Sequence, residues 1–290
     1  MNFSQIQLNV ASESAIMGIQ KHVPKISLFA KSFTGRPGQP YNGVAIPLFA
    51  NLSGVSTYDP TSAEDKYCEG ERLEGAVVPL NKLTVKSYTL TDYEVGSTDN
   101  LYLADGARAM AEQAVLDIAN KIFTGTDALG SSEITATTST PTTKAGFAGL
   151  FAAAANSGAN PYDCVIALNA TTFSSLLGTL DSYVYGGPEA IRDGVIPGLY
   201  GFRGVVVAPS TPEGVNGFII PWESIGVASR WNKAAVDGYD ASWTATDPKT
   251  GFTVGFRIFE HLCSGTAKMA ADVLWGVKLI QPSKIVKITA

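Results

Sequence analysis

Charged side chains are scarce in this sequence of 290 residues. Asp, Glu, Lys and Arg make up 16% of the chain, against about 25% in average proteins. Apolar residues make up 45%, which excludes a disordered chain. The net charge is −5, so the chain lacks the excess of basic residues that would indicate nucleic-acid binding as its main task. Glycine and proline are frequent, with 29 and 15 residues, which favours strands and turns over a helical bundle.

Residue patterns that perform catalysis are also lacking. The two histidines, His22 and His261, lie outside any HExxH pattern, and the chain has neither a G-x-S-x-G elbow nor a Gly-Lys dipeptide. The run GLYGFRG has G-x-x-G-x-x-G spacing, which differs from the dinucleotide-binding fingerprint. We therefore expect a protein that is not an enzyme, with no catalytic, cofactor-binding or metal-binding residues and no cofactor.

Cysteine and long apolar runs are few. The chain has three scattered cysteines, Cys68, Cys164 and Cys263. Their odd number and wide spacing give neither a disulfide framework nor a zinc site, so free thiols in a reducing cytoplasm are expected. The first 22 residues have no basic region followed by an apolar run, and the uncharged stretch 145–162 contains Asn, Ser, Gly and Pro. Neither a secretory signal nor a membrane span is expected.

The one dense group of charges is acidic. It lies in the run SAEDKYCEGERLEG and comprises Glu64, Asp65, Glu69, Glu71 and Glu74. These carboxylates could in principle hold a cation, but the run lacks the D-x-D-x-D-G loop and interleaves Lys66 and Arg72. A solvated loop face is the expected structure.

Composition and periodicity divide the first part of the chain into segments. Residues 1–25 are weakly periodic and end near Pro24, as expected of an arm or a short helix followed by a break. Residues 26–85 contain strand patterns and many Gly and Pro residues but little apolar mass. Such a segment cannot easily form its own core, so a long two-stranded projection that packs on a neighbour is expected.

The clearest helix is predicted from Asn100 to Phe123, with Gly125 just beyond its end. Its apolar positions follow spacings of three and four and are mostly alanine: Ala104, Ala107, Ala111, Ala114, Val115, Ile118 and Ile122. Whatever packs on this face must therefore approach the helix closely. The Thr/Ser-rich segment that follows, up to Lys144, is expected to be a loop without core potential.

Short strands and helices alternate between residues 145 and 230, which predicts a compact α/β unit. Two further strands, FTVGFRIF and DVLWGVKLI, alternate apolar residues on one face: Phe252, Val254, Phe256 and Ile258, and Val273, Trp275, Val277 and Leu279. We expect both strands to pack with the strand at 83–90 and with the long helix, because no other layer is available to cover them.

In this order, the elements resemble the major capsid proteins of tailed bacteriophages, the Hong Kong ninety-seven type fold. The stretches that carry the resemblance are VVPLNKLTVKSYTLTDYEVGSTDN with LADGARAMAEQAVLDIANKIFTG, VIALNATTFSSLLG, IRDGVIPGLYGFRGVVVAPSTP, FIIPWESIGVASR and LWGVKLIQPSKIVKI. The resemblance implies an α+β fold with an N-terminal arm (1–25) and an extended β-hairpin loop (26–85). It further implies a peripheral domain (86–145 and 235–290) with a spine helix at about 100–123, and an α/β axial domain (146–234).

The same resemblance implies a structural subunit of an icosahedral capsid, which self-assembles into hexamers and pentamers around a phage double-stranded DNA genome. Its implied location is the virion, after assembly in the host cytoplasm. The implied partners are further copies of the chain, scaffold and portal proteins, and packaged DNA touched without sequence preference, with no membrane. Two alternatives stay open: an encapsulin-like shell protein of a cellular nanocompartment, and a β-rich virion decoration or tail protein.

Some capsids of this family join neighbouring subunits by a Lys–Asn isopeptide bond. Lys31 and Lys66 lie in the projection and are the lysines to consider for such a bond. Nothing in the sequence supplies the buried carboxylate that would activate either one, so we expect two solvated lysines.

Overall fold

The computed structural model describes residues 5–32, 44–47, 75–91, 101–179, 195–199, 201–222, 224–231, 241–261 and 266–289. The α-helices in these ranges are α1 (Gln5–Ile19), α2 (Val23–Ser27), α3 (Leu101–Thr124), α4 (Lys144–Asn156) and α5 (Ala170–Thr179). The strands are β1 (Ala30–Ser32), β2 (Val44–Pro47), β3 (Gly75–Val78), β4 (Lys82–Thr91), β5 (Ala136–Ser139), β6 (Cys164–Leu168), β7 (Val195–Pro197), β8 (Gly204–Val207), β9 (Val215–Pro221), β10 (Ile225–Arg230), β11 (Ala241–Thr246), β12 (Thr253–His261), β13 (Thr266–Leu279) and β14 (Val286–Thr289).

Sheet 1 is built around the long strand β13, in the order β1-β10-β13-β12-β11 with β4 also paired to β13. Residues 266–272 of β13 pair with both β12 and β4, so these two strands lie on opposite edges of β13. All pairs are antiparallel except β1 with β10. The predicted pairing with the strand at 83–90 is confirmed for β13, whereas β12 pairs with β11 and β13 and does not pair with β4. Every residue predicted to face inward in these two C-terminal runs is buried.

Sheet 2 has the order β5-β14-β9-β6-β8-β7 and mixes parallel and antiparallel pairs. Its central strand β6 is buried at all five positions, as expected of a strand covered on both faces. One face contributes Ile166, Leu168 and Ile219 to a cluster with residues of α4 and α5. The other face contributes Val165 and Phe218 to the main core, which also contains α1, α3 and the inner face of sheet 1.

The alanine-rich face of α3 is covered by the chain itself. All seven residues predicted to form the apolar stripe are buried. Helix α1 packs along α3, and its Ala11, Ala15 and Ile19 belong to the same core. A Cβ atom on Gly18 would lie 2.5 Å from the carbonyl oxygen of Arg108, so the two helix backbones approach as closely as the alanines suggest. The stripe is therefore an interior surface of the subunit.

Three segments are more deeply built into the subunit than the sequence predicts. The expected arm contains α1, whose buried side chains are small and give a weak apolar pattern. Phe29 and Ala30, expected at the start of the projection, are buried, and the Phe29 ring lies 5.5 Å from that of Phe123. The expected loop at 125–144 buries Leu129 and Ile134 and contains β5, because β-branched threonines suit a strand that pairs with β14.

The sheets also cross the segment boundaries drawn from the sequence. Strand β10, which falls within the axial segment 146–234, pairs with β13 of sheet 1. Strands β5 and β14, which fall within the peripheral segments, pair with each other and with β9 in sheet 2. Hydrogen bonding between sequence-distant strands thus ties the segments together at both sheets. Chain position alone does not reveal such pairing.

Replacing Ala111 with Leu should lower the free energy of unfolding by about 1–3 kcal/mol, because the larger side chain must fit a fully buried face of α3. Ala109 lies on the exposed face of the same helix. The matched control Ala109→Leu should change that free energy by less than about 0.5 kcal/mol. Urea denaturation of dissociated subunits measures both values, and equal stabilities would contradict the close packing of α3.

Candidate assembly surfaces

Few of the residues weighed as functional candidates come together in the structure. Within the described ranges, no three His, Cys, Asp or Glu side chains are grouped so that they could hold a metal ion. The acidic run at 64–74, Lys66, Cys68 and Cys263 lie outside those ranges. His261 is the last residue of β12. No helix that the structure describes is both long and apolar enough to span a membrane.

His22 lies between α1 and α2 and is half-buried. Burial, together with the nearby Lys25 and Lys21 ammonium groups, lowers the pKa of His22, and the carboxylate of Glu112 opposes this only in part. The imidazole is therefore neutral at pH 7. Its Nε2 lies 3.9 Å from Glu112 Oε1, while Lys21 Nζ is paired with Glu112 Oε2 at 2.6 Å. This group of charges joins the end of α1 to α3.

Cys164 begins β6 and is fully buried with a free thiol. Its Sγ donates a hydrogen bond to the carbonyl oxygen of Asn160 at 3.2 Å. Burial, with a smaller contribution from the Asp163 carboxylate, raises the pKa of the thiol to about 12. A thiol that stays protonated and covered at neutral pH is a packing residue and a poor nucleophile.

Strands β2 and β3 are attached to sheet 1 by close contacts at one end of their pair. We call the antiparallel pair of β2 and β3 the stem; it joins Val44 to Val78 at one end and Pro47 to Gly75 at the other. Val78 is buried against Ala228 of β10. Gly276 of β13 lies directly beneath the chain that follows the stem, where a Cβ atom would overlap the carbonyl oxygen of Pro79. The stem is thereby fixed to the outer face of sheet 1.

Strand β4, which follows the stem, is held just as firmly on its inner face. Lys82 Nζ is paired with Asp127 at 2.5 Å, and Lys86 Nζ is paired with Asp117 at 2.5 Å. The indole Nε1 of the buried Trp275 donates a hydrogen bond to Thr84 Oγ1 at 2.9 Å. The outer face of β4 instead exposes Leu83 and Val85, each to about half. Strand β4 is therefore firmly held to the subunit through its inner face.

Sequence reasoning missed the contact that anchors the stem. Gly276 lies on the face of β13 opposite the alternating apolar residues, and an isolated glycine within a strand pattern is a recognised signal for close backbone approach. That signal was available in DVLWGVKLI. The partner, Pro79, lies almost two hundred positions away in the chain. Only the paired strands bring the two residues together.

Comparison with solved structures identifies the fold. No protein-family model matches the chain, and no curated protein matches it. The capsid of an empty GTA particle aligns with a TM-score of 0.57 and 12% identity, over 91% of this chain and 89% of that one. The virus-like particle from Pyrococcus furiosus aligns at 0.54 and 14%, over 95% and 96%. The capsid protein of Cyanophage P-SCSP1u aligns at 0.53 and 15%, over 91% and 86%.

These alignments extend over nearly the whole length of each chain, so they compare complete folds and not a shared motif. The chain has the tailed-phage capsid fold, of the Hong Kong ninety-seven type, with mixed helices and sheets. The fold class expected from the sequence is confirmed. At identities of 11–15% the likeness concerns the fold, and function must be argued from this chain's own surfaces.

Replacing Gly276 with Ala should displace the stem, because the added methyl group cannot occupy the position of the Pro79 carbonyl. We expect a loss of about 1–3 kcal/mol in stability and faster protease cleavage near residues 75–80. Gly149→Ala in α4 is the matched control, since a Cβ atom there meets nothing within 4 Å. Thermal denaturation and limited proteolysis followed by mass spectrometry measure the effects, and identical cleavage of the two variants would argue against the anchored stem.

Proposed function

We propose that this protein is the structural subunit of an icosahedral viral capsid, and that it self-assembles into hexamers and pentamers that enclose a double-stranded DNA genome. The observation that carries the proposal is a capsid fold that aligns over more than nine-tenths of the chain. The anchored stem supports it, because in this proposal the residues that connect its two strands span a neighbouring subunit. The low charge fraction of 16% also suits a chain with large buried contacts between copies.

The proposal assigns a role to each segment. Residues 26–85 include the loop that lies across a neighbour. Helix α3 is the spine of the peripheral domain. Residues 146–234 form most of the axial domain, around which a hexamer or pentamer closes. Residues 1–25 serve as an N-terminal segment that packs on the spine.

The further partners are scaffold and portal proteins during assembly in the host cytoplasm, and packaged DNA at the inner face. A subunit with a net charge of −5 holds DNA weakly, which suits contents that must leave. The role is structural, not enzymatic.

An encapsulin-like compartment shell is the second candidate, and the likeness to the Pyrococcus furiosus virus-like particle is the observation that favours it. Both candidates build closed shells from one chain. They differ in contents, because a capsid takes up DNA through a portal and a compartment encloses protein cargo. A β-rich tail or decoration protein agrees less well with a fold organised around a 24-residue helix.

The purified chain should form closed particles of uniform diameter. Sedimentation velocity and negative-stain electron microscopy measure this directly. The measurements are made at physiological and at high protein concentration, and on the chain co-expressed with its neighbouring genes. Closed shells support either shell function, and analysis of the contents for phage DNA or protein cargo separates the two. Tubes, or a monomer under every condition, would contradict the proposal.

Deleting residues 48–74 and joining Pro47 to Gly75 through Asn-Gly should leave the fold intact but abolish assembly. The two-residue turn suits the antiparallel pair at this end of the stem, and the anchoring residues Val78 and Pro79 are kept. Circular dichroism should show an unchanged helix signal, and sedimentation should show free subunits. Normal shells from the shortened chain would contradict a bridging role for these residues. An unfolded product would mean that the segment belongs to the subunit core.

A further inference from the structure

Strand β4 forms an edge of sheet 1 along its whole length. It pairs with β13 in an unbroken antiparallel register, from Lys82 opposite Trp275 to Thr91 opposite Thr266. On its other side, β4 pairs with no strand among the residues that the structure describes. Half of the backbone N–H and C=O groups of such a strand point away from the sheet, so they can accept a further strand.

The features that usually protect an edge strand are lacking in β4. Natural edges carry outward charges, proline or a β-bulge. Residues 82–91 contain no proline, and their register with β13 has no shift. The two charged residues of the strand, Lys82 and Lys86, are paired with Asp127 and Asp117 at the inner face. The outer face carries exposed, uncharged side chains: Leu83, Val85, Ser87 and Thr89.

The apolar side chains of this outer face are only partly covered. Leu83 is 49% exposed and Val85 is 51% exposed. The inner face of β4 is already packed on α3, since a Cβ atom on Gly106 would lie 3.6 Å from the Tyr88 ring. A strand added at the edge would place its own side chains beside Leu83 and Val85 and so remove more apolar surface from water.

The strand that meets these requirements is β4 itself, in a second copy of the chain. Antiparallel pairing about a twofold axis at Val85 sets Val85 opposite the second copy's Val85 and Leu83 opposite its Ser87. Moving the axis by one residue to Lys86 would set lysine opposite lysine, and moving it to Thr84 would set Lys82 opposite Lys86. Like charges directly opposite are unfavourable, so the register centred on Val85 is selected.

We propose that β4 pairs edge to edge with β4 of a second copy across a twofold axis at Val85, so that sheet 1 continues from one subunit into the next. This inference rests on the proposed capsid function, because a closed shell of icosahedral symmetry contains twofold contacts. A twofold contact uses the same surface on both copies, as this register does. The pairing adds main-chain hydrogen bonds for affinity and cross-strand side-chain pairs for specificity.

Disulfide trapping in assembled particles tests the register. Three variants carry Leu83→Cys, Val85→Cys or Ser87→Cys, each in a background with Cys68→Ser and Cys263→Ser. The remaining cysteine is buried. Directly opposite residues of an antiparallel pair have Cα atoms about 4.5–5.5 Å apart, which suits a disulfide. Oxidised Val85→Cys particles should therefore give linked dimers on a non-reducing gel.

The two flanking positions are the controls for this register. Leu83→Cys alone, or Ser87→Cys alone, places the two thiols about 13 Å apart along the strand, which is too far for a disulfide. Each should give at least about tenfold less dimer than Val85→Cys. A co-expressed mixture of the two variants should give about half the dimer of Val85→Cys, because half of the random pairs bring the two thiols together.

A charge at the centre of the contact tests its role in assembly. Val85→Lys should lower the yield of closed particles by about tenfold or more, because lysines of two copies then face each other. Val10→Lys is the matched control, since Val10 is 39% exposed on α1. Its yield should stay within about twofold of wild type. Sedimentation and electron microscopy measure the yields, and circular dichroism of dissociated subunits must show that both variants fold.

Three results would overturn the inference while the capsid function stands. One is normal assembly of Val85→Lys. Another is particles in which Val85→Cys forms no more dimer than Leu83→Cys alone, which would assign the edge to a different strand. The third is equal linkage at all three positions taken singly, which would indicate parallel pairing. A wild-type chain that forms no particles would count against the proposed function itself, so the two failures are distinguishable.

Discussion

The close approach of α1 to α3 is the constraint on which the rest of the subunit depends. Alanine on α3 and Gly18 on α1 let the two helix backbones come nearly into contact, and both helices share one core with residues of sheet 1 and sheet 2. Larger side chains at this contact would push the two helices apart. At the end of α3, the Phe123 ring meets both Phe29 and Phe218, at 5.5 and 6.2 Å, which joins the N-terminal region to sheet 2.

This packing also fixes the position of the stem. Lys86 of β4 is paired with Asp117 of α3, and Lys82 of β4 is paired with Asp127 in the turn that follows α3, so the inner face of β4 is held in place and the stem beside it has a defined direction. Gly276 lets Pro79 lie directly on β13, so the stem is part of the rigid sheet. The fixed position of the stem is therefore a consequence of how α3, β4 and β13 pack together.

Much of the fold follows from local patterns, and the rest depends on contacts that are distant in the chain. The long helix is observed at Leu101–Thr124 against the predicted 100–123, and β13 pairs with the strand at 83–90 as predicted, because each has a clear period. Strand β12 pairs with β11 and β13 instead. The sequence allowed an arm or a short helix at residues 1–25, but it did not predict that α1 packs along α3, and it missed strand β5. Alanine, serine and threonine give weak periodicity in both elements, which become buried only through partners distant in the chain. The anchoring of the stem could not be predicted either. Gly276 and Pro79 are 197 positions apart and meet only after β13 and its neighbouring strands have paired.

The most direct test of this account is an electron cryo-microscopy reconstruction of the assembled particles, at a resolution that allows the chain to be traced. The account predicts a closed icosahedral shell in which each stem continues into density for residues 48–74 that lies on an adjacent subunit. It also predicts that α1 stays packed on α3 within its own subunit. Density for residues 48–74 folded back on the subunit that carries them, or α1 exchanged between neighbours, would contradict it.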